Sequence, residues 1–223
     1  IDAASSGDTI TVAPGTYNED ITIDLDLTLE STGGAEVTKL TGTGGAPVVT
    51  IGDCNVTVQG FDIDDIPVAD GVYIATITAG NVVTIQDSII ACNTDQGIDV
   101  GSVYGTLNIL NNLISQNTHE GIYIDLVDEG GSVVIKGNVI GAWQDADYDF
   151  NGNSSYGIYI YQVHNGSTVT IAGTTEAEAN LISENSSDGI YVDELYYDST
   201  LTIEGNIIGA FAYDHFTFGG NGN

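Results

Sequence analysis

The chain has 223 residues, of which 32 are Asp or Glu and only two, Lys39 and Lys136, are Lys or Arg, giving a formal net charge of -30. Nucleic-acid binding requires Lys and Arg side chains that release counterions from phosphates, so the composition argues against such a partner. No apolar run is long enough to cross a bilayer, and the sequence predicts no membrane span. The acidity instead favours bound cations or a salty medium.

The scarcity of Lys and Arg also removes the cleavage sites of trypsin-like proteases, which suits a protein at the cell surface or outside the cell. A general acidic bias of the source lineage would give the same composition. The chain begins at Ile1 rather than Met, which is compatible with an export signal removed before that residue. Cys54 and Cys92 leave two alternatives open, an extracellular disulfide or two buried thiols.

The first residues have the pattern of a solenoid entry. Residues 1–4 predict the end of a short helix, residues 9–12 a strand, and residues 13–17 a turn with Pro14 and Gly15. This passage resembles the N-terminal entry of right-handed parallel β-helix proteins of the pectin-lyase-like superfamily. The resemblance implies a helical cap over the open end of the solenoid, shortened in this chain.

Residues 31–50 are irregular and rich in Gly and Thr, whereas an internal repeat governs the chain from Gly71 onwards. Its signature is Gly-Ile-Tyr-Ile or a close variant, at intervals of 24 to 36 residues, and it starts at Gly71, Gly97, Gly121, Gly157 and Gly189. Each repeat contains about three short runs of Val, Ile and Thr separated by turn residues. The sequence therefore predicts one all-β domain over residues 1–223, a three-stranded parallel β-helix of about eight coils, irregular over 1–70 and regular over 71–223.

Two kinds of coil alternate, so the larger unit is a double coil of 68 residues, counted from Gly121 to Gly189. Residues 137–141 and residues 170–192 resemble repeats of large secreted and cell-surface β-helix proteins of bacteria and archaea. That resemblance is specific for the fold and uninformative about activity, because the superfamily includes lyases, hydrolases, adhesins and structural proteins.

The alternation in Gly-Ile-Tyr-Ile places both aliphatic side chains on one face of the strand and the tyrosine on the other. The aliphatic residues are therefore predicted to stack in a buried column. Asparagines recur at matching turns and predict two ladders of amide hydrogen bonds along the solenoid. The first ladder comprises Asn112, Asn138, Asn180 and Asn206, and the second includes Asn117 and Asn185.

The outward tyrosines form the first candidate site. Tyr73, Tyr123, Tyr159 and Tyr191 occupy one position of successive repeats, with Asp99 in the place of the second repeat. Such an aromatic and acidic stripe is suited to stacking against sugar rings or to packing against a neighbouring molecule. The alternative is that the stacked rings only stabilise the sheet.

A second candidate site is a metal-binding loop. Asp147, Asp149 and Asn151 match the start of a D-x-D-x-N-G calcium loop, and Asp145 stands just before it. Carboxylates on alternate residues before a Gly turn can converge on Ca²⁺. The glutamate expected at the twelfth position is replaced by Ile158, so an acidic, solvated loop is the alternative.

Catalysis has little support in the sequence. Residues 93–95 (Asn-Thr-Asp) and 97–99 (Gly-Ile-Asp) resemble the first acidic motif of polygalacturonases, but the Gly-His-Gly and Arg-Ile-Lys motifs of those enzymes are missing. The pectate lyase mechanism needs an Arg or Lys base, for which the chain offers no candidate. A pair of carboxylates acting on a glycosidic bond remains open.

These observations favour a non-enzymatic, extracellular structural protein that builds a surface filament, sheath or layer. Self-association is expected either head to tail through the solenoid ends or laterally through the aromatic face. The alternative is a carbohydrate-active β-helix, either a lyase or hydrolase or an adhesin that binds a polysaccharide.

Overall fold

The structure, a computed structural model, describes residues 1–64, 69–141, 151–196, 198–212 and 218–220. Three parallel sheets run along the molecule, and successive strands of the chain pass from one sheet to the next. Seven complete three-stranded coils are followed by an eighth that contributes two strands. The predicted parallel β-helix of about eight coils is thus confirmed.

Sheet A begins each coil. Its strands are β1 (Asp8–Val12), β4 (Leu27–Ser31), β7 (Val56–Gln59), β10 (Val82–Gln86), β13 (Thr106–Leu110), β16 (Ser132–Lys136), β19 (Thr168–Ala172) and β22 (Thr200–Glu204). Sheet B follows after a short turn. Its strands are β2 (Gly15–Asn18), β5 (Thr38–Thr41), β8 (Asp62–Asp64), β11 (Ile89–Ala91), β14 (Leu113–Ser115), β17 (Val139–Ile140), β20 (Leu181–Ile182) and β23 (Ile207–Ile208).

Sheet C closes the coil. Its strands are β3 (Ile21–Ile23), β6 (Val49–Ile51), β9 (Val72–Ile77), β12 (Ile98–Val103), β15 (Ile122–Val127), β18 (Ile158–Val163) and β21 (Ile190–Leu195). Outside the three sheets, β24 (Ala210–Ala212) pairs antiparallel with β25 (Phe218–Gly220). Two 3₁₀ helices, Ala35–Val37 and Glu176–Glu178, interrupt the turns between sheets A and B.

The start of the chain differs from the helix expected there. Residues 1–4 form a turn in which the Ala4 amide donates to the Ile1 carbonyl at 2.8 Å. Four residues close only one backbone hydrogen bond, and nucleating a helix costs more than one bond returns. The apolar residues of the first coil, including Ile10, Val12 and Ile21, are consequently only partly buried.

The interior is a continuous column of aliphatic side chains. Ile122 pairs with Ile98 on one side and Ile158 on the other, and all three are fully buried. Each buried aliphatic side chain contributes about 1.5–3 kcal/mol relative to an exposed one. Because the strands keep the same register from coil to coil, each rung covers the next.

Both predicted asparagine ladders are present. Asn138 donates to the Asn180 side-chain oxygen at 3.0 Å, and its own oxygen accepts from the Asn112 backbone at 2.9 Å. The second ladder runs between Asn117 and Asn185 through Asn153, and Asn93 extends it towards the N-terminus. Nearly all of these amides are buried, so the ladders satisfy the polar groups that the turns bring into the core.

The glycines before four of the sheet C strands, at positions 71, 97, 121 and 157, are required by space, not by a left-handed backbone. A Cβ atom on Gly121 would lie 2.7 Å from the Asn153 amide nitrogen and 2.7 Å from the Gly157 carbonyl oxygen. The corresponding contacts at Gly97 are the same length. The repeated glycine thus lets the backbone approach the second asparagine ladder.

Candidate functional site

The predicted tyrosine stripe lies on the outer face of sheet C. We call Tyr73, Tyr123, Tyr159 and Tyr191 the tyrosine column; Asp99 occupies the same column between the first two. The ring centroids of Tyr123 and Tyr159 are 5.3 Å apart, and those of Tyr159 and Tyr191 are 5.2 Å apart, both pairs edge to face. This geometry is favourable between aromatic rings, so the tyrosines of neighbouring coils pack against each other along the column.

The structure adds a ring that the repeat pattern did not predict. Tyr156 lies in the turn before β18, and its ring stacks on Tyr191 at 5.1 Å with an interplanar angle of 21°. Its centroid is 5.2 Å from that of Tyr159. This contact could not be predicted from the repeat, because the equivalent turn positions of other coils do not carry tyrosine. The aromatic face is therefore wider than one column.

Carboxylates border the tyrosine column where it is interrupted. We call Asp70, Asp95, Asp99, Glu120 and Asp125 the carboxylate cluster. Burial raises the pKa of Asp70 to about 7, and the charges of Asp99 and Asp95 add to the shift. Burial also raises the pKa of Asp99 to about 6, with further contributions from Asp95, Asp125 and Glu120. Asp70 thus titrates near neutral pH, whereas Asp99 keeps its proton only up to about pH 6.

Hydrogen bonds fix the cluster to the turn before sheet C. The Gln96 backbone amide donates to Asp70 at 3.1 Å, and the Gln96 side chain donates to Glu120 at 3.2 Å. His119 Nδ1 lies 2.7 Å from Asp95 Oδ1, with both side chains about half exposed. The patch combines proton donors and acceptors beside partly exposed aromatic rings, a combination suited to contacts with sugars.

The structure therefore brings together the two aspartates of the polygalacturonase-like motif, Asp95 and Asp99, and adds Asp70 and His119. Sequence reasoning missed Asp70 because it lies in an irregular turn of the preceding coil. The contact of His119 with Asp95 could not be read from the sequence either, because the two residues belong to successive coils. Only the register between coils reveals both contacts.

Most of the predicted calcium loop lies outside the described residues. Asp145, Asp147 and Asp149 lie outside the described residues. Asn151 is described, and its backbone carbonyl accepts a hydrogen bond from Ser115 Oγ at 2.8 Å. Within the described ranges no group of three or more His, Cys, Asp or Glu side chains is arranged to hold a metal ion.

The two cysteines make separate contacts. Cys54 is buried, with its sulfur 3.7 Å from the Ile23 carbonyl, whereas Cys92 is exposed and contacts Gln116 at 3.0 Å. Both are free thiols, so the disulfide alternative is not realised. His164 packs edge to face against Tyr196 with ring centroids 4.4 Å apart.

A family model described as periplasmic copper-binding protein (NosD) matches residues 1–175, which is most of the chain. The chain belongs to the NosD family. NosD proteins are right-handed parallel β-helices of the pectin-lyase-like superfamily, which confirms the resemblance noted from the N-terminal residues. The family is periplasmic, in agreement with the expected location outside the cytoplasm. No curated protein and no solved structure shows a significant match.

No helix in the part of the chain that the structure describes is long and apolar enough to cross a membrane. The family description also raises the question of copper. Copper in proteins is held by Cys, Met and His, and this NosD-family chain contains no Met. Its two thiols and the two described imidazoles lie at separate places. The described residues therefore do not fit a copper site.

Proposed function

We propose that this NosD-family chain is a non-enzymatic structural β-solenoid of the periplasm or cell exterior. The observation that supports the proposal is the uninterrupted interior, in which the buried asparagines of both ladders are bonded to the backbone and to each other. A scaffold needs this uniform, rigid core, whereas catalysis needs reactive groups converging on a cleft. In the described residues we find no nucleophile activated by a neighbouring base.

Association through the solenoid ends is part of this proposal. Ile208 faces the interior column of the last coil, because it pairs with the buried Ile182, yet it is 44% exposed. Ile10 and Val12 are incompletely covered at the opposite end. A second copy stacked end to end would bury these side chains and continue the parallel ladders. Cations, including Ca²⁺ at residues 145–151, would offset the repulsion between acidic copies.

Sedimentation velocity and electron microscopy of the purified chain with Ca²⁺ test this assembly. Ile208→Lys places a charge on the end-facing surface and is expected to give monomers. Ile207→Lys is the matched control, because Ile207 is 43% exposed but pairs with Leu181 in the outward column. Rods that form equally well with either substitution, or a wild-type chain that stays monomeric at high concentration, would refute end-to-end association.

A second candidate function is glycan binding, favoured by the contact between the aromatic face and the carboxylate cluster. Tyr159 and Tyr191 present ring surface to solvent, and neutral carboxyl groups at Asp70 and Asp99 can donate hydrogen bonds to sugar oxygens. Because ionised carboxylates repel uronic acids, neutral or amino sugars are the expected class.

Binding to immobilised polysaccharides separates the two functions. If the aromatic face binds a glycan, the immobilised polysaccharide should retain the wild-type chain. Retention should be lost in Tyr159→Ala and kept in Tyr104→Ala, because Tyr104 lies outside the tyrosine column. Release of reducing or unsaturated sugars that stops in Asp95→Asn would show an enzyme. Retention that is unchanged by Tyr159→Ala would count against this second function.

A further inference from the structure

Lys39 makes an unusually close contact with the next coil on the outer face of sheet B. Its partner strand β8 presents Asp62 directly opposite and Asp64 two residues further on. Lys39 Nζ lies 2.6 Å from Asp64 Oδ2 and 3.6 Å from Asp62 Oδ2. One of the two lysines in the sequence thus sits against two carboxyl groups of a neighbouring strand.

Asp64 is the more unusual partner. It is only 8% exposed, and its second oxygen, Oδ1, is buried without a hydrogen-bond partner among the described residues. A buried carboxylate oxygen normally has several donors, because burying a charge without them is costly. An ionised Asp64 is therefore poorly stabilised in this contact. Any change that removes the charge of Asp64 would remove the cost of burying it.

Two of the three groups, Asp62 and Lys39, have raised pKa values. Burial raises the pKa of Asp62, although the charge of Lys39 opposes the shift. Burial lowers the pKa of Lys39, but the hydrogen bond to Asp64 and the two negative charges outweigh it, and the net shift is upward. Lys39 is therefore held in its charged form against the two carboxyl groups, and Asp62 takes up a proton more readily than usual.

We propose that Lys39 and Asp64 condense to an intramolecular isopeptide bond, with Asp62 carrying the proton. Transfer of a proton from Nζ to Asp64 Oδ2 across their contact gives a neutral amine and a carboxylic acid. The Nζ lone pair then attacks Asp64 Cγ, and Asp62 accepts the second proton from the nitrogen. Asp62 returns that proton to the departing hydroxyl, so that a C–N bond forms, a C–O bond breaks and one water leaves. No oxidant or reductant is involved.

An amide bond between Lys39 and Asp64 would have two stabilising consequences at this position. The amide removes both charges of the pair, including the one on the incompletely bonded Asp64. It also ties the second coil to the third across 25 residues, near the N-terminal end of the solenoid, where the apolar residues of the first coil are only partly buried. A covalent cross-link restricts the conformations of the unfolded chain, as a disulfide does. Both cysteines are free, so the described residues contain no other such link.

The mass of the intact purified protein tests the bond directly. The wild-type chain is expected to weigh one water, about 18 Da, less than its sequence mass. Lys39→Arg keeps the positive charge but is expected to restore the full mass. Asp64→Asn is expected to lose ammonia instead, about 17 Da, because the leaving group is then the amide nitrogen. Asp62→Asn removes the proton carrier and is expected to leave the chain uncondensed.

Lys136 provides the matched control within the same chain. It pairs with Glu178 at 3.9 Å, and both side chains are at least 30% exposed. Lys136→Arg is therefore expected to leave the mass deficit unchanged. Digestion with chymotrypsin, which can cleave after Phe61 between the two residues, should yield one branched peptide that contains Lys39 and Asp64. A wild-type chain at its full sequence mass, or a deficit that persists in Lys39→Arg, would overturn the proposal. A mass deficit that persists in Asp62→Asn would show that Asp62 does not carry the proton in this reaction.

Discussion

Asp70 and Asp99 hold protons at pH values where exposed aspartates have lost them, because burial and neighbouring carboxylates disfavour their charged forms. Neither shift was predictable from the sequence. The position of Asp99 in the tyrosine column follows from the repeat, but the approach of Asp70 and Asp95 from different turns depends on how the coils stack. Lys39 is a similar case, since its contact with Asp64 crosses two coils of the irregular part of the chain.

These raised pKa values predict that stability falls as pH rises. The unfolded chain releases the two protons near pH 4, whereas the folded chain keeps them to about pH 6 and 7. Between those values the folded state binds more protons, so the free energy of unfolding decreases with increasing pH. Asp70→Asn keeps an acceptor for Gln96 and is expected to stabilise the protein by about 1 kcal/mol at pH 8, a value reduced for partial exposure.

Thermal unfolding of both forms at pH 5 and pH 8 measures this effect. Asp87→Asn is the control, because it removes one charge from an exposed turn of the same chain. The difference between wild type and Asp70→Asn should be small at pH 5 and larger at pH 8. Equal effects of the two substitutions would mean that general charge repulsion, not the carboxylate cluster, governs the pH dependence.

At the scale of structural elements, the sequence is most informative about the strands and the asparagine ladders. The Gly-Ile-Tyr-Ile repeat predicts β15, β18 and β21 with their inward and outward faces, and the recurring Asn predicts the first ladder. The repeat pattern was less informative where turns vary in length. Asn93 and Asn153 belong to the second ladder, yet only the stacking of turns with different loops places them there.

The ladders predict a large energetic difference between buried and outward asparagines. Asn138→Ala removes donors to the Ile109 carbonyl and to Asn180, and it leaves the Asn112 amide without its acceptor. Each buried group left unpaired costs about 1–3 kcal/mol, so the substitution is expected to cost about 3 kcal/mol. Urea unfolding measures it against Asn108→Ala, an outward residue on β13 whose loss should cost about 0.5 kcal/mol. Equal losses would show that the ladder does not stabilise the fold.

At the scale of the whole molecule, sharing a fold with the NosD family does not mean sharing the ligand of that family. The NosD family is described as copper-binding, but the described thiols and imidazoles of this chain stand apart. What the molecule does offer is a column of constant register with an aromatic and acidic outer face. The proposed glycan binding, the proposed stacking of copies and the proposed Lys39 link would all depend on that register, because each needs residues from different coils at fixed spacing.

The most direct test of the stacked column is the distance between spin labels at Tyr73→Cys and Tyr191→Cys, in a chain whose native cysteines are replaced. The two positions are separated by four strand spacings along sheet C. With strands about 4.8 Å apart, double electron–electron resonance should give a narrow distribution centred at about 19 Å. A broad distribution, or a distance beyond about 30 Å, would mean that these strands are not successive rungs and would contradict the account.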